Sequence, residues 1–165
     1  MRMMGVKVRS ELNRIINLLK DQIEDINGYI EYLEERWWGV TRKALTLAAG
    51  DDCVDAKRYA REALLIEKLI KLFKNAKLAL EAVIIRLETV NEVGELLPLL
   101  SPVSKVLETL SKRLEEYLPD VAKSLSEAHD VLVRAVGKPL NVDLEGATMS
   151  VSSEEVHEEV EEHEE

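Results

Sequence analysis

The sequence holds a single cysteine, Cys53, so no disulfide closes within the chain and no cysteine-based zinc site forms from one copy. A reduced, intracellular setting is the expectation. Aromatic residues are scarce at 4%, with one phenylalanine, and 165 residues contain only 7 glycines and 4 prolines. A β-sandwich or barrel needs a turn every ~8–12 residues and many β-branched or aromatic positions. A doubly wound α/β fold needs apolar strand runs between its helices. Neither pattern occurs, which leaves an all-α protein. No apolar stretch reaches the ~18 residues of a membrane span. The start, MRMMGVKVRSELNR, lacks the apolar core of a secretory signal.

Charge is abundant, at 33% of residues and a net −10, but it is unevenly placed. Residues 1–20 carry Arg2, Lys7, Arg9, Arg14 and Lys20 against Glu11 alone. Residues 138–165 carry Lys138 against Asp143, Glu145 and a run of glutamates. A basic arm for an anionic surface and an acidic tail are the implied ends, with simple solubilisation as the alternative.

The apolar pattern is helical. Leu12, Ile16, Leu19, Ile23, Ile26, Ile30, Leu33, Trp37, Val40, Ala44 and Leu47 alternate spacings of four and three, the heptad seam of a long helix that packs on another. Gly50 is the expected left-handed stop, and Asp51 or Asp52 the cap of the next helix. The second helix spans about Cys53–Val93. One of its stripes reads Tyr59, Ala63, Ile66, Ile70, Phe73, Leu80, Ile84 and Leu87, and another reads Leu65, Leu69, Leu72, Ala76, Ala79 and Val83. One stripe meets the first helix; the other is free for the later helices or a neighbouring subunit. Gly94 and Pro98 form an elbow, since proline breaks a continuous helix. Ser101-Pro102 starts a third helix running to Leu118, and Pro119-Asp120 separates it from a fourth over 121–136. The expected fold is a long antiparallel, coiled-coil-like hairpin with two shorter helices packed on it. Its divisions are a basic amphipathic arm over 1–10, the hairpin over 11–93, the elbow and short helices over 94–137, and a polar, acidic, disordered tail over 138–165.

Chemistry is thin. There is no Gly-rich phosphate loop. A di-metal helical bundle needs Glu-x-x-His on two helices, but Ser126 stands three residues before His129, and His157 and His163 lie in the tail. Acidic and basic residues pair at i,i+4, as in Glu67 with Lys71 and Glu108 with Lys112, which suits exposed helix faces. No nucleophile has a base beside it. No enzyme activity, cofactor, metal or nucleic-acid partner is expected. Three features stand out from a plain bundle. Gly28 and Gly39 sit inside the first helix, where they serve close packing or bending or nothing at all. Trp38 points away from the seam, toward the third or fourth helix or toward a partner or lipid. Met1, Met3, Met4, Val6 and Val8 interleave with Arg2, Lys7 and Arg9, the composition of a membrane-surface anchor.

Residues 55–69 (DAKRYAREALLIEKL), 78–110 (LALEAVIIRLETVNEVGELLPLLSPVSKVLETL) and 118–132 (LPDVAKSLSEAHDVL) resemble the ESCRT-III family, and within it the archaeal cell-division B proteins. The most telling piece is Arg86-Leu87-Glu88-Thr89 followed by Glu92-Val93-Gly94. The resemblance implies a cytoplasmic polymer that assembles with itself and with other ESCRT-III-like subunits. It would act at the inner face of the cell membrane, constricting anionic membrane in cell division or vesicle release. It also implies disassembly by an AAA ATPase that grips the C-terminal region. By position, Arg2, Met3, Met4, Val6, Lys7, Arg9, Arg14 and Lys20 would meet lipid. Leu65, Leu69, Leu72, Ala76, Ala79 and Val83 would take subunits or the later helices, and Gly94 and Pro98 would be the hinge. No clear ATPase-binding motif is present; Lys138-Pro139-Leu140-Asn141-Val142 has a faint likeness to the proline-containing type. In many family members the second and third helices straighten into one, which Gly94 and Pro98 oppose here. A soluble helical adaptor without membrane activity is the competing reading.

Overall fold

The computed structural model describes residues 5–94 and 97–136, and their regular structure is all helix. Helix α1 covers Val6–Ala49 and α2 Cys53–Val93, 44 and 41 residues long. A short 3₁₀ turn at Leu97–Leu100 leads into α3, Ser101–Leu114, and then α4, Pro119–Val136. At 1.5 Å per residue α1 is about 66 Å long.

Helices α1 and α2 lie antiparallel. Asn91 Nδ2 donates to Asn13 Oδ1 at 2.8 Å, Trp37 Nε1 donates to Glu67 Oε1 at 3.0 Å, and the Lys43 ammonium stands 4.9 Å from the Tyr59 ring centre. Numbers rise along one helix as they fall along the other. The heptad seam forms the interface: Leu12, Ile16, Leu19, Ile26, Ile30 and Leu33 are buried. Farther along, Trp37, Val40, Ala44 and Leu47 are only half-buried.

The reason for that gradient is the second layer. Helix α3 packs on α2, and α4 packs on α1 and on α3. The turn between α3 and α4 lies against Phe73, whose ring meets Tyr117 edge-on at 6.3 Å. One end of the hairpin is therefore part of a four-helix bundle. The other end projects as a two-helix arm with one buried side per helix. Ser111 Oγ ties α3 to α4 by donating to the Ala122 carbonyl at 2.8 Å.

Local signals placed the boundaries with a few differences. Asp52 caps α2, its side chain accepting from the Asp55 N–H at 3.2 Å. At the hairpin turn, however, Gly50 has an ordinary φ of −89°, and Asp51 takes the left-handed conformation with φ 65°. Aspartate is one of the few side chains that tolerate this region. Helix α1 starts at Val6, so half of the expected arm is already helical. Helix α3 ends at Leu114, and Pro119 is the first residue of α4, a position where its missing N–H costs nothing. Ser101 lies inside α3, whose cap residue is Leu100 without a side-chain bond. Gly94 ends α2 in the left-handed conformation, with φ 79° and its N–H bonded to the Val90 carbonyl at 2.8 Å.

Trp38 does not pack under α3 or α4. It is 59% exposed on the arm, where its ring meets Trp37 edge-on at 5.1 Å. The short helices lie against the other end of the hairpin, out of its reach. Gly28 and Gly39 are exposed, and a Cβ added at either would meet nothing within 4 Å, so close packing is not their role.

Candidate functional site

The basic residues of α1 do not share one face. A helix turns 100° per residue, so Lys7 and Arg14 lie about 20° apart, as do Arg9 and Lys20, while the two pairs point roughly 120–160° away from each other. Lys7 and Arg14 face α4 and line a cleft with Val131 and Arg134. Lys20 faces α2 and stands 3.8 Å from Glu88. Arg9 is half-buried and covers the elbow. A Cβ on Gly94 would lie 2.7 Å from its Nη2. Val6 is 86% exposed at the first residue of α1. Arg2, Met3 and Met4 lie outside the described residues.

The second stripe of α2 divides in the same way. Leu72, Ala76, Ala79 and Val83 are buried in the core, and Leu69 is half-buried against it. Leu65, on the arm, is 52% exposed. Most of this stripe is thus occupied within the chain. A different set of apolar side chains stands open on α2: Leu64, Leu78 and Ile85, all more than half exposed. With Lys71 between the first two, they recur every seven residues on one face. Sequence reasoning missed this set, although the interval of seven was its signal. Trp38 and Leu45 are the large apolar residues that stand open on the arm portion of α1 beyond Leu33. Cys53 is exposed at the tip.

The elbow keeps its two expected residues in place. Gly94 ends α2 in the left-handed conformation, and Pro98 sits half-buried in the 3₁₀ turn. His129 lies 3.1 Å from the Asp130 carboxylate and 3.9 Å from Glu108. Among the described residues no cluster of three metal-ligating side chains occurs, and no helix is long and apolar enough to cross a membrane. His157, His163, the 138–142 segment and the whole acidic tail lie outside the described residues.

No protein-family model matches the chain, and no solved structure matches it. Among the curated proteins that it does match are two of Sulfolobus acidocaldarius. Cell division protein B is 31% identical over 120 residues, which are 73% of this chain and 46% of that protein. Cell division protein B1 is 29% identical over 118 residues, 72% of this chain and 55% of that protein. The chain spans about half the length of these relatives. Helical pattern and comparison agree: over nearly three quarters of its length this chain is similar to two Sulfolobus cell-division B proteins.

Proposed function

We propose that the protein is an ESCRT-III-like subunit that assembles into filaments on anionic membrane and remodels it, in archaeal cell division or vesicle scission. The observation that carries this reading is the similarity to two cell-division proteins over nearly three quarters of the chain. The geometry supports it. A two-helix arm with exposed Trp38, Leu45, Leu64 and Leu65 offers apolar area to a neighbouring subunit. The groups that the sequence assigns to lipid are Arg2, Met3, Met4, Val6, Lys7, Arg9, Arg14 and Lys20. Of these, Lys7 and Arg14 are the exposed ones without an ion pair among the described residues.

The hairpin over 11–93 is the rigid unit, and the elbow and short helices over 94–137 cover one end of it. Subunit contacts fall to Leu65 and Leu69, with Leu72, Ala76, Ala79 and Val83 available only when the short helices leave. That release turns on Gly94 and Pro98. The C-terminal region is where an AAA ATPase would grip. The place of action is the inner face of the cell membrane at the division site. The role is mechanical, with no catalytic step.

Liposome co-sedimentation with negative-stain microscopy tests the proposal. Filaments that need anionic lipid are the expected result. Soluble monomers at every lipid composition and protein concentration would overturn it in favour of a helical adaptor.

A further inference from the structure

A basic cleft lies where the start of α1 meets the end of α4. It holds about 350 Å³ and is lined by Lys7, Glu11 and Arg14 from α1 and by Val131 and Arg134 from α4. Arg134 is 120 residues from Arg14 in sequence, and only the docking of α4 on α1 brings them together. We propose that Lys7, Arg14 and Arg134 bind the phosphate of one anionic lipid headgroup in this cleft. The proposal rests on the membrane-binding reading above and deepens it, replacing a basic helix face by a site shared between two helices.

Three observations support it. None of the three cations has an ion pair among the described residues. Elsewhere Lys20, Arg58, Lys77 and Lys112 each have a carboxylate within 4.0 Å. Three positive groups thus face one carboxylate, Glu11, and the cleft holds a formal surplus of two positive charges. Second, its walls include half-buried Val8 and Val131, and low-dielectric walls concentrate the field of the cations inside a cleft. Third, the donors suit a phosphate. Arg134 spends its Nε on the Asp130 carbonyl at 3.4 Å, which leaves both Nη groups for an oxyanion. A guanidinium fork matches two phosphate oxygens, and the lysine ammonium adds a point charge.

The sharing has a thermodynamic consequence. A ligand held by both helices binds only while α4 is docked, so the headgroup stabilises the docked arrangement. Phosphate free in solution has the same chemistry, and the experiment separates the two sources.

The test uses the full chain with phosphatidylcholine vesicles containing phosphatidylglycerol, in a co-sedimentation titration at low salt. Lys7→Gln, Arg14→Gln and Arg134→Gln should each weaken binding about fivefold, the factor for one cation near an anionic leaflet. Arg58→Gln removes the same charge from the arm and should change binding less than about twofold. Far-UV circular dichroism checks that each variant is folded. Arg134→Gln binding as tightly as the unaltered chain, while Arg14→Gln binds weakly, would overturn the cleft and leave the membrane reading standing on α1 alone. No binding by the unaltered chain would overturn the membrane reading itself. In a vesicle-free arm, inorganic phosphate is added and Tm is read. A rise of the same size in Arg134→Gln and the unaltered chain is the expected general salt effect. A markedly larger rise in the unaltered chain, without vesicle binding, would assign the cleft to free phosphate and overturn the lipid source.

Discussion

Replacing Gly94 by alanine distinguishes a bent chain from a straight one by the sign of its effect. Gly94 has φ 79°, and its missing side chain leaves room for Arg9, whose Nη2 would lie 2.7 Å from an alanine Cβ. Holding alanine in the left-handed conformation costs ~1–2 kcal/mol. Against this, alanine restricts the unfolded chain more than glycine does, which returns about 0.4–1 kcal/mol. The Arg9 guanidinium is the end of a flexible side chain and can swing aside, giving up its cover over the elbow. The net expectation for Gly94→Ala is a loss of ~1 kcal/mol. Gly94→Asn should lose less, since asparagine enters this region more readily. In an Arg9→Ala background the steric part disappears, and the Gly94→Ala loss should shrink. Urea unfolding followed by far-UV circular dichroism and tryptophan fluorescence measures the unaltered chain and the four variants. If α2 instead continued through residue 94 as one helix, alanine would stabilise the chain by ~0.5–1 kcal/mol. A gain in stability on Gly94→Ala would therefore refute the elbow.

Ile26→Ala, at a fully buried seam position, should lose ~2–5 kcal/mol. Trp38→Ala, on the exposed arm, should stay within ~0.5 kcal/mol; equal losses at both would contradict the placement of the seam. Deleting residues 138–165 should increase lipid binding or polymerisation, most strongly at low salt. Helix α4, which lines the basic cleft, ends at Val136, so an acidic segment tethered there would compete with lipid for the cations. A truncated chain that binds no better would make the tail a solubiliser. Binding to anionic vesicles should rise steeply with protein concentration, because single subunits hold weakly and linked ones hold by avidity. Tight, salt-insensitive binding to neutral vesicles would point to hydrophobic insertion instead.

The hairpin was legible because its information is local and periodic. An unbroken four-three spacing from Leu12 to Leu47 admits one helix, and Asp52 and Gly94 mark ends by capping chemistry that any helix shares. What was not legible depends on tertiary docking. The second stripe of α2 promised a partner without saying which, and α3 and α4 cover only its portion from Leu72 onward. Trp38 reads only as pointing away from the seam, toward a short helix or toward a partner or lipid, because nothing in the sequence tells how far along the hairpin the short helices reach. The basic residues of α1 read as one group along the chain, yet they divide between two sides of the helix. Arg134, remote in sequence, joins one of those groups only in space. The left-handed residue of the hairpin turn was placed one position early, at Gly50, because glycine and aspartate both suit it.

The unequal thickness of the molecule gives it the mechanics of a cantilever. Its root has four helices locked around Leu19, Ile26, Leu80 and Leu107, and its free end has two helices held by a half-buried seam. Stiffness against bending grows steeply with cross-section, so a load applied at the tip deflects the arm and leaves the root unbent. Backbone hydrogen bonds beyond Leu33 should accordingly open more readily than those around Leu19. A strip built from such tapered units would take up curvature in its arms, and its local radius could follow a narrowing membrane neck without unfolding the bundles that anchor it.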